Sequence, residues 1–152
     1  SKKIYNKIKK LNIKIFFGGT FSANTFSTFV GNKIISYIKS NKNLINKLIL
    51  NSKYFENKIN SHIKKGKLNA RIYRYDSILR IVFSKEKVNN RISRDFLENK
   101  RHKSKMKFVK FLSKKNVYLP PNGIILFSFM TSKKSINYVI NSVCEGLDKY
   151  FK

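Results

Sequence analysis

The sequence predicts an α+β fold: a small sheet covered by helices and preceded by a long helical segment. Three observations predict it. The spacing of apolar residues changes from about 3.6 to 2 near Arg71, Pro120-Pro121-Asn122-Gly123 makes a strong turn signal, and the last twenty residues carry a regular amphipathic stripe. A chain of 152 residues with 41% hydrophobic and 14% aromatic residues can bury a core of its own.

The first fifteen residues read as a lysine-rich helical or irregular lead-in ending at Ile15-Phe16-Phe17. From Asn24, a plausible N-cap, Phe26, Phe29, Val30, Ile34, Ile35 and Ile38 recur at helical spacing. Ser40-Asn41-Lys42-Asn43 marks a joint, and Leu44, Leu48, Phe55, Ile59 and Ile63 continue as a second helix, with Gly66 expected at its C′ position. Two strands follow, Arg71-Ile72-Tyr73-Arg74-Tyr75 and Ile78-Leu79-Arg80-Ile81-Val82-Phe83, broken at Asp76-Ser77; Leu79, Ile81 and Phe83 share the face expected to be buried. Residues 84–100 are polar and weakly periodic, which suggests a loop. A helix is expected over 100–115, short extended pieces over 117–119 and 124–129, and a final helix capped by Thr131 or Ser132. The expected division is a lead-in with a Gly-Gly-Thr turn over 1–23, connecting helices over 24–66 and a small α+β domain over 67–152.

Charge dominates the composition, with 34 basic residues against 7 acidic and a formal net charge of +27. Such a chain attracts polyanions non-specifically at low salt. The lysines, however, run from Lys2 to Lys152 without gathering in one arm. Lys (28), Asn (18) and Ile (19) are abundant while alanine occurs only at Ala23 and Ala70, as an A/T-rich coding sequence would impose. No apolar run approaches the roughly 20 residues of a membrane span. With a single cysteine, Cys144, there is no internal disulfide framework and no cysteine-rich zinc site, so a cytoplasmic domain is expected.

Catalytic material is scarce. His62 and His102 sit among lysines and read as solvated surface positions. Glu145 and Asp148 read as an ordinary solvated helix edge, and Cys144 as a small core residue. One segment stands out: Gly18-Gly19-Thr20-Phe21-Ser22-Ala23-Asn24, two glycines and two hydroxyl residues leading into a helix start. Free backbone N–H groups, the positive helix end and a hydroxyl favour a phosphate, yet many structural turns share this pattern and no Walker lysine follows. A basic α+β nucleic-acid-binding domain is the alternative, with Tyr73 and Tyr75 between Arg71 and Arg74, although Arg74 shares the face of Ile72 and not of the tyrosines.

Gly19-Thr20-Phe21-Ser22-Ala23-Asn24 resembles the Gly-Thr-Phe-Ser-Gly-Asn-Pro segment of class III pyridoxal-phosphate (PLP)-dependent aminotransferases, glutamate-1-semialdehyde aminomutase among them. Ser77-Ile78-Leu79 with Val82-Phe83 resembles that family's Gly-Ser-Met-Phe strand, Asp76 replacing the glycine. Asn116-Val117-Tyr118-Leu119-Pro120-Pro121 resembles its Gly-Val-Tyr-Leu-Pro-Pro turn, and Ser132–Ile136 its last capped helix. The blocks fall in order and register from about Phe16 to Tyr150.

The resemblance implies the C-terminal portion of such an enzyme: a small C-terminal domain, an upstream cofactor-binding domain as partner, a homodimer, and a small amino-acid-like substrate. In the family the glycine-threonine turn reaches across the dimer to the cofactor phosphate. Carried over, Gly19, Thr20 and Phe21 become the cofactor-binding residues, with Thr20 the principal ligand. The Schiff-base lysine of the family belongs to the upstream domain, so this part is expected to be inactive alone and to hold no catalytic residue or metal. Thr25 stands where the family has a proline; Ile125 stands where the aminomutase pattern has a glutamate and Thr131 where it has a histidine, and these two losses favour a broader aminotransferase. A degenerate, non-catalytic relative acting as a structural partner is a third reading.

Overall fold

The computed structural model describes Asn6, Lys7, Lys10 and residues 24–152. Residues 24–152 form five helices and a three-stranded antiparallel sheet, in the order α1 (Thr25–Ser40), α2 (Lys42–Gly66), β1 (Arg71–Tyr75), β2 (Ile78–Val82), α3 (Arg91–Asn99), α4 (His102–Lys114), β3 (Ile124–Leu126) and α5 (Lys133–Tyr150). Residues 1–40 and 41–152 form two separate compact units.

In the first unit, Asn24 caps α1 as its position suggests: its Oδ1 accepts from Ser27 N–H at 2.9 Å, and Thr28 N–H bonds the Asn24 carbonyl. Such a cap occupies donors that the first helical turn otherwise leaves free.

The second unit is built on β2, the central strand, paired with β1 through Ile72↔Ile81 and Arg74↔Leu79 and with β3 through Leu79↔Ile125. One sheet face therefore carries Ile72, Leu79 and Ile81, all buried, and α2 lays Phe55, Ile59 and Ile63 against the same core. Helix α5 adds Ile136, Ile140, Val143 and Leu147, and Phe83, just past β2, stacks on Phe151 at 4.4 Å while meeting Phe108 of α4 edge-on at 5.4 Å. Where α4 crosses α5, a Cβ on Gly146 would stand 2.7 Å from the Phe108 ring, so only glycine permits that approach. The outer edge of β1 is closed by a side chain: Asn60 of α2 accepts from Ile72 N–H at 2.8 Å and donates to Ile72 O at 2.9 Å, as a neighbouring strand would.

The structure departs from expectation in four places. Residues 91–99 form helix α3 and not a loop, its N-cap Asn90 accepting from Ser93 N–H at 2.9 Å. The helix hid because its pattern is inverted: Ile92 (83% exposed) and Phe96 (63%) point outward, while Glu98 is buried. Residues 117–119 form no strand; Val117 and Leu119 are buried around an exposed Tyr118, an alternation without a pairing partner. The extended run expected over 124–129 is paired only over Ile124–Leu126. At the end of α2 the left-handed residue is Lys67 (φ 52°), with Gly66 still helical; a Cβ on Gly66 would already touch Leu68 at 3.0 Å. The cap of α5 is Ser132, which accepts from Ser135 N–H at 3.1 Å.

Candidate functional site

Gly19, Thr20 and Phe21, the residues expected to hold a phosphate, lie outside the described residues. The described chain resumes at Asn24, whose cap is set out above. Thr25 opens α1 in the first unit, and the other motif positions lie in the second. Ile125 and Thr131 come together, lining one cleft of about 580 Å³ between β3 and α5 with Val117, Phe127, Lys134 and Tyr138. Two polar side chains of its wall are tied back to the backbone: Tyr138 Oη donates to Lys115 O at 2.9 Å, and Thr131 Oγ1 accepts from Ser128 N–H at 3.1 Å. What the cleft offers a ligand is thus an apolar floor with the Lys134 ammonium on its lining and no carboxylate or imidazole.

Two turn positions carry a backbone signature. Asp76 and Asn116, which replace glycines in the resembling motifs, have φ of 49° and 56°. This left-handed region favours glycine, and among other residues Asn and Asp tolerate it best. Gly123, closing the Pro-Pro turn, has φ 73°, and a Cβ there would meet Ile81 O at 2.6 Å. The Ile81 N–H in turn donates to Gly123 O at 3.0 Å, fixing the turn beside the central strand.

The other singled-out side chains are engaged. His62 is half-buried and not merely solvated: its Nε2 lies 3.0 Å from Asp148 Oδ1, bridging α2 and α5. Glu145 pairs with Lys115 Nζ, so the two acids of α5 serve cross-helix contacts and not an idle helix edge. His102 stays exposed, as does Glu145 despite its ion pair. Cys144 packs beside the core as expected, and burial, followed by the nearby Asp148 charge, pushes its thiol up to about 11, which keeps it protonated and unreactive near neutrality. No group of three or more His, Cys, Asp or Glu among the described residues could hold a metal. No helix among them is long and apolar enough to cross a membrane.

No protein-family profile and no curated protein sequence matches the chain. Solved structures do. An ω-transaminase from Sphaerobacter thermophilus superposes with a TM-score of 0.70 over 88% of this chain at 11% identity. The fold is aminotransferase-like. A glutamate-1-semialdehyde aminomutase from Pseudomonas aeruginosa PAO1, in complex with PMP, gives 0.69 over 91% at 12% identity. An (S)-enantioselective ω-transaminase from Thermomicrobium roseum gives 0.66 over 99% at 13%. The chain spans about a third of these structures, 30, 31 and 33% of their lengths. The aminotransferase likeness expected from four short motifs therefore holds at the level of fold across nearly the whole chain.

Proposed function

We propose that this chain is the C-terminal portion of a PLP-dependent class III aminotransferase or aminomutase, with residues 24–66 as its connecting helices and 67–152 as its small domain. The observation that carries this reading is the superposition on aminotransferase-like folds over 88–99% of the chain. The left-handed Asp76 and Asn116 at the two glycine positions of the motifs add support.

In this reading Thr20 donates its hydroxyl to the cofactor phosphate of a neighbouring subunit, and the Gly19 and Phe21 backbone N–H groups assist. The donor set suits a phosphate: a hydroxyl and two backbone amides ahead of a capped helix start. PLP supplies the electron sink for amino-group transfer when bound, and its covalent lysine belongs to the upstream domain. Residues of this chain hold the phosphate, build the dimer interface and shape the substrate wall. The cleft floored by Ile125 and Val117 would exclude water from an amino-acid-like substrate, while Lys134 attracts its carboxylate. Without a carboxylate at position 125 or an imidazole at 131, the wall lacks the two acid–base side chains of the aminomutase pattern, which favours a transaminase over an aminomutase. The isolated chain is inactive.

The coding sequence upstream of Ser1 tests this reading directly. A cofactor domain with its lysine there, or on a co-purifying polypeptide, is the expected result; its absence from both would contradict the assignment.

A further inference from the structure

A second pocket, of about 230 Å³, lies on the sheet side away from α2. It is lined by Arg80 of β2, by Arg91, Arg94, Asp95 and Glu98 of α3, and by Lys105 of α4, among others. Four cations face two carboxylates, and the pairing is uneven. Asp95 Oδ1 accepts from Arg94 Nε at 2.9 Å and Nη2 at 2.5 Å, and its Oδ2 accepts from Arg91 Nε at 3.4 Å. Glu98 Oε2 accepts from Lys105 Nζ at 2.9 Å, with both side chains largely buried. Arg80 has no such partner. Its Nε is buried without a hydrogen bond among the described residues, and so is Glu98 Oε1. Burial, then the neighbouring Arg94 charge, lowers the Arg80 pKa despite the pull of Glu98 and Asp95. The residues lining the pocket thus include one unsatisfied charged donor and one unsatisfied charged acceptor, and carry an excess of positive charge.

An arginine suits a tetrahedral oxyanion because its planar fork can give parallel N–H bonds. An unsatisfied carboxylate oxygen beside it asks for a donor, which sulfate and carboxylate anions lack near neutral pH and a protonated phosphate carries. We propose that this pocket binds a singly protonated phosphate group, Arg80 donating to a phosphate oxygen and Glu98 Oε1 accepting from the phosphate hydroxyl. The site is independent of the PLP reading: it needs neither an upstream domain nor residues 19–21. It also accounts for a polar helix face turned inward beneath an apolar one turned to solvent.

The test is a titration of the full 152-residue chain with inorganic phosphate at constant ionic strength in chloride, followed by NMR at the backbone amides of Asn99 and Asn122, both on the pocket lining. Saturable shifts with a Kd of about 1 mM or tighter are expected, with sulfate at least about tenfold weaker, the scale of one charged hydrogen bond. Arg80→Gln should weaken phosphate binding about tenfold or more, and Glu98→Gln should narrow the phosphate-over-sulfate preference; each is read against an unchanged circular dichroism spectrum. Lys64→Gln, an exposed lysine of α2 that lines a different cleft with Asn60 and Arg71, should leave the affinity unchanged. Should Arg80→Gln not fold, Arg80→Lys and the Glu98→Gln ratio carry the test. Linear, non-saturating shifts, equal binding of sulfate, or equal loss from Lys64→Gln would overturn the proposal. Displacement of phosphate from these amides at physiological salt by an oligouridylate lacking terminal phosphates would also overturn it, in favour of a nucleic-acid backbone.

Discussion

The two faces of β2 differ sharply at its centre, between Arg80 and its neighbours Leu79 and Ile81. On one, Leu79 and Ile81 vanish into a core closed by α2 and α5, where each side chain meets apolar partners. On the other, Arg80 stands over a polar pocket walled by α3, with a buried donor left unpaired. The first face is built for stability, since interiors gain from apolar area removed from water and close packing. The second costs stability, because a buried polar group without a partner loses its hydration and receives nothing in return. The difference teaches where to look for function on this domain: at the face that packing alone does not explain.

Substitutions can break or sharpen this contrast. The largest effect is expected at the three-ring cluster: Phe83→Ala should lose about 3–5 kcal/mol of unfolding free energy by urea denaturation, since it empties the contact among Phe83, Phe108 and Phe151. Gly146→Ala should cost about 1–3 kcal/mol in the same assay, as its Cβ meets the Phe108 ring. Arg80→Met, one residue from the buried Ile81, should be neutral or stabilising by up to about 1 kcal/mol in phosphate-free buffer, because it removes an unpaired buried donor. A loss there as large as that of Phe83→Ala would erase the contrast.

Smaller effects follow from titration. The Arg94 hydrogen bond holds the Asp95 carboxyl below its usual 3.8. A depressed folded value stabilises above the unfolded one and is lost as the pH falls through the folded value. The stability gap between the wild-type chain and Asp95→Asn should therefore be present at pH 7 and close well below pH 3.8, by denaturation at both pH values. For Cys144 the sign reverses: a raised thiol value favours the folded state below the unfolded value near 9, and that contribution fades as the pH climbs towards about 11. Native-state alkylation followed by mass spectrometry should accordingly be slow at pH 8 and accelerate only near pH 11.

The same contrast explains what was legible in the sequence. Apolar periodicity reports burial, so α2, α5 and the Leu79–Ile81–Phe83 face could be read directly. It fails where a helix buries its charges: α3 turns Glu98 inward and Ile92 and Phe96 outward, and its one local signal was the cap Asn90 with Ser93 three residues on. Alternation misled at 117–119 because Val117 and Leu119 are buried without a strand to pair with. Two turns were legible through chemistry, at Asp76 and at Gly123, residues that accept positive φ; the positive φ of Asn116 was not read. Ile125 and Thr131 were singled out only as departures from a motif, and the fold places them on one cleft. The Arg80 pocket could not be found along the chain, because its residues come from β2, α3, α4 and a distant turn.

The central claim is that this chain completes a PLP site through Thr20. The most direct measurement is the PLP affinity of the enzyme assembled with its upstream domain, wild type against Thr20→Ala, by equilibrium dialysis. The account predicts roughly a 10- to 100-fold loss, the scale of a hydrogen bond to a charged group, with dimer and fold intact. Equal affinity in the two proteins would contradict it.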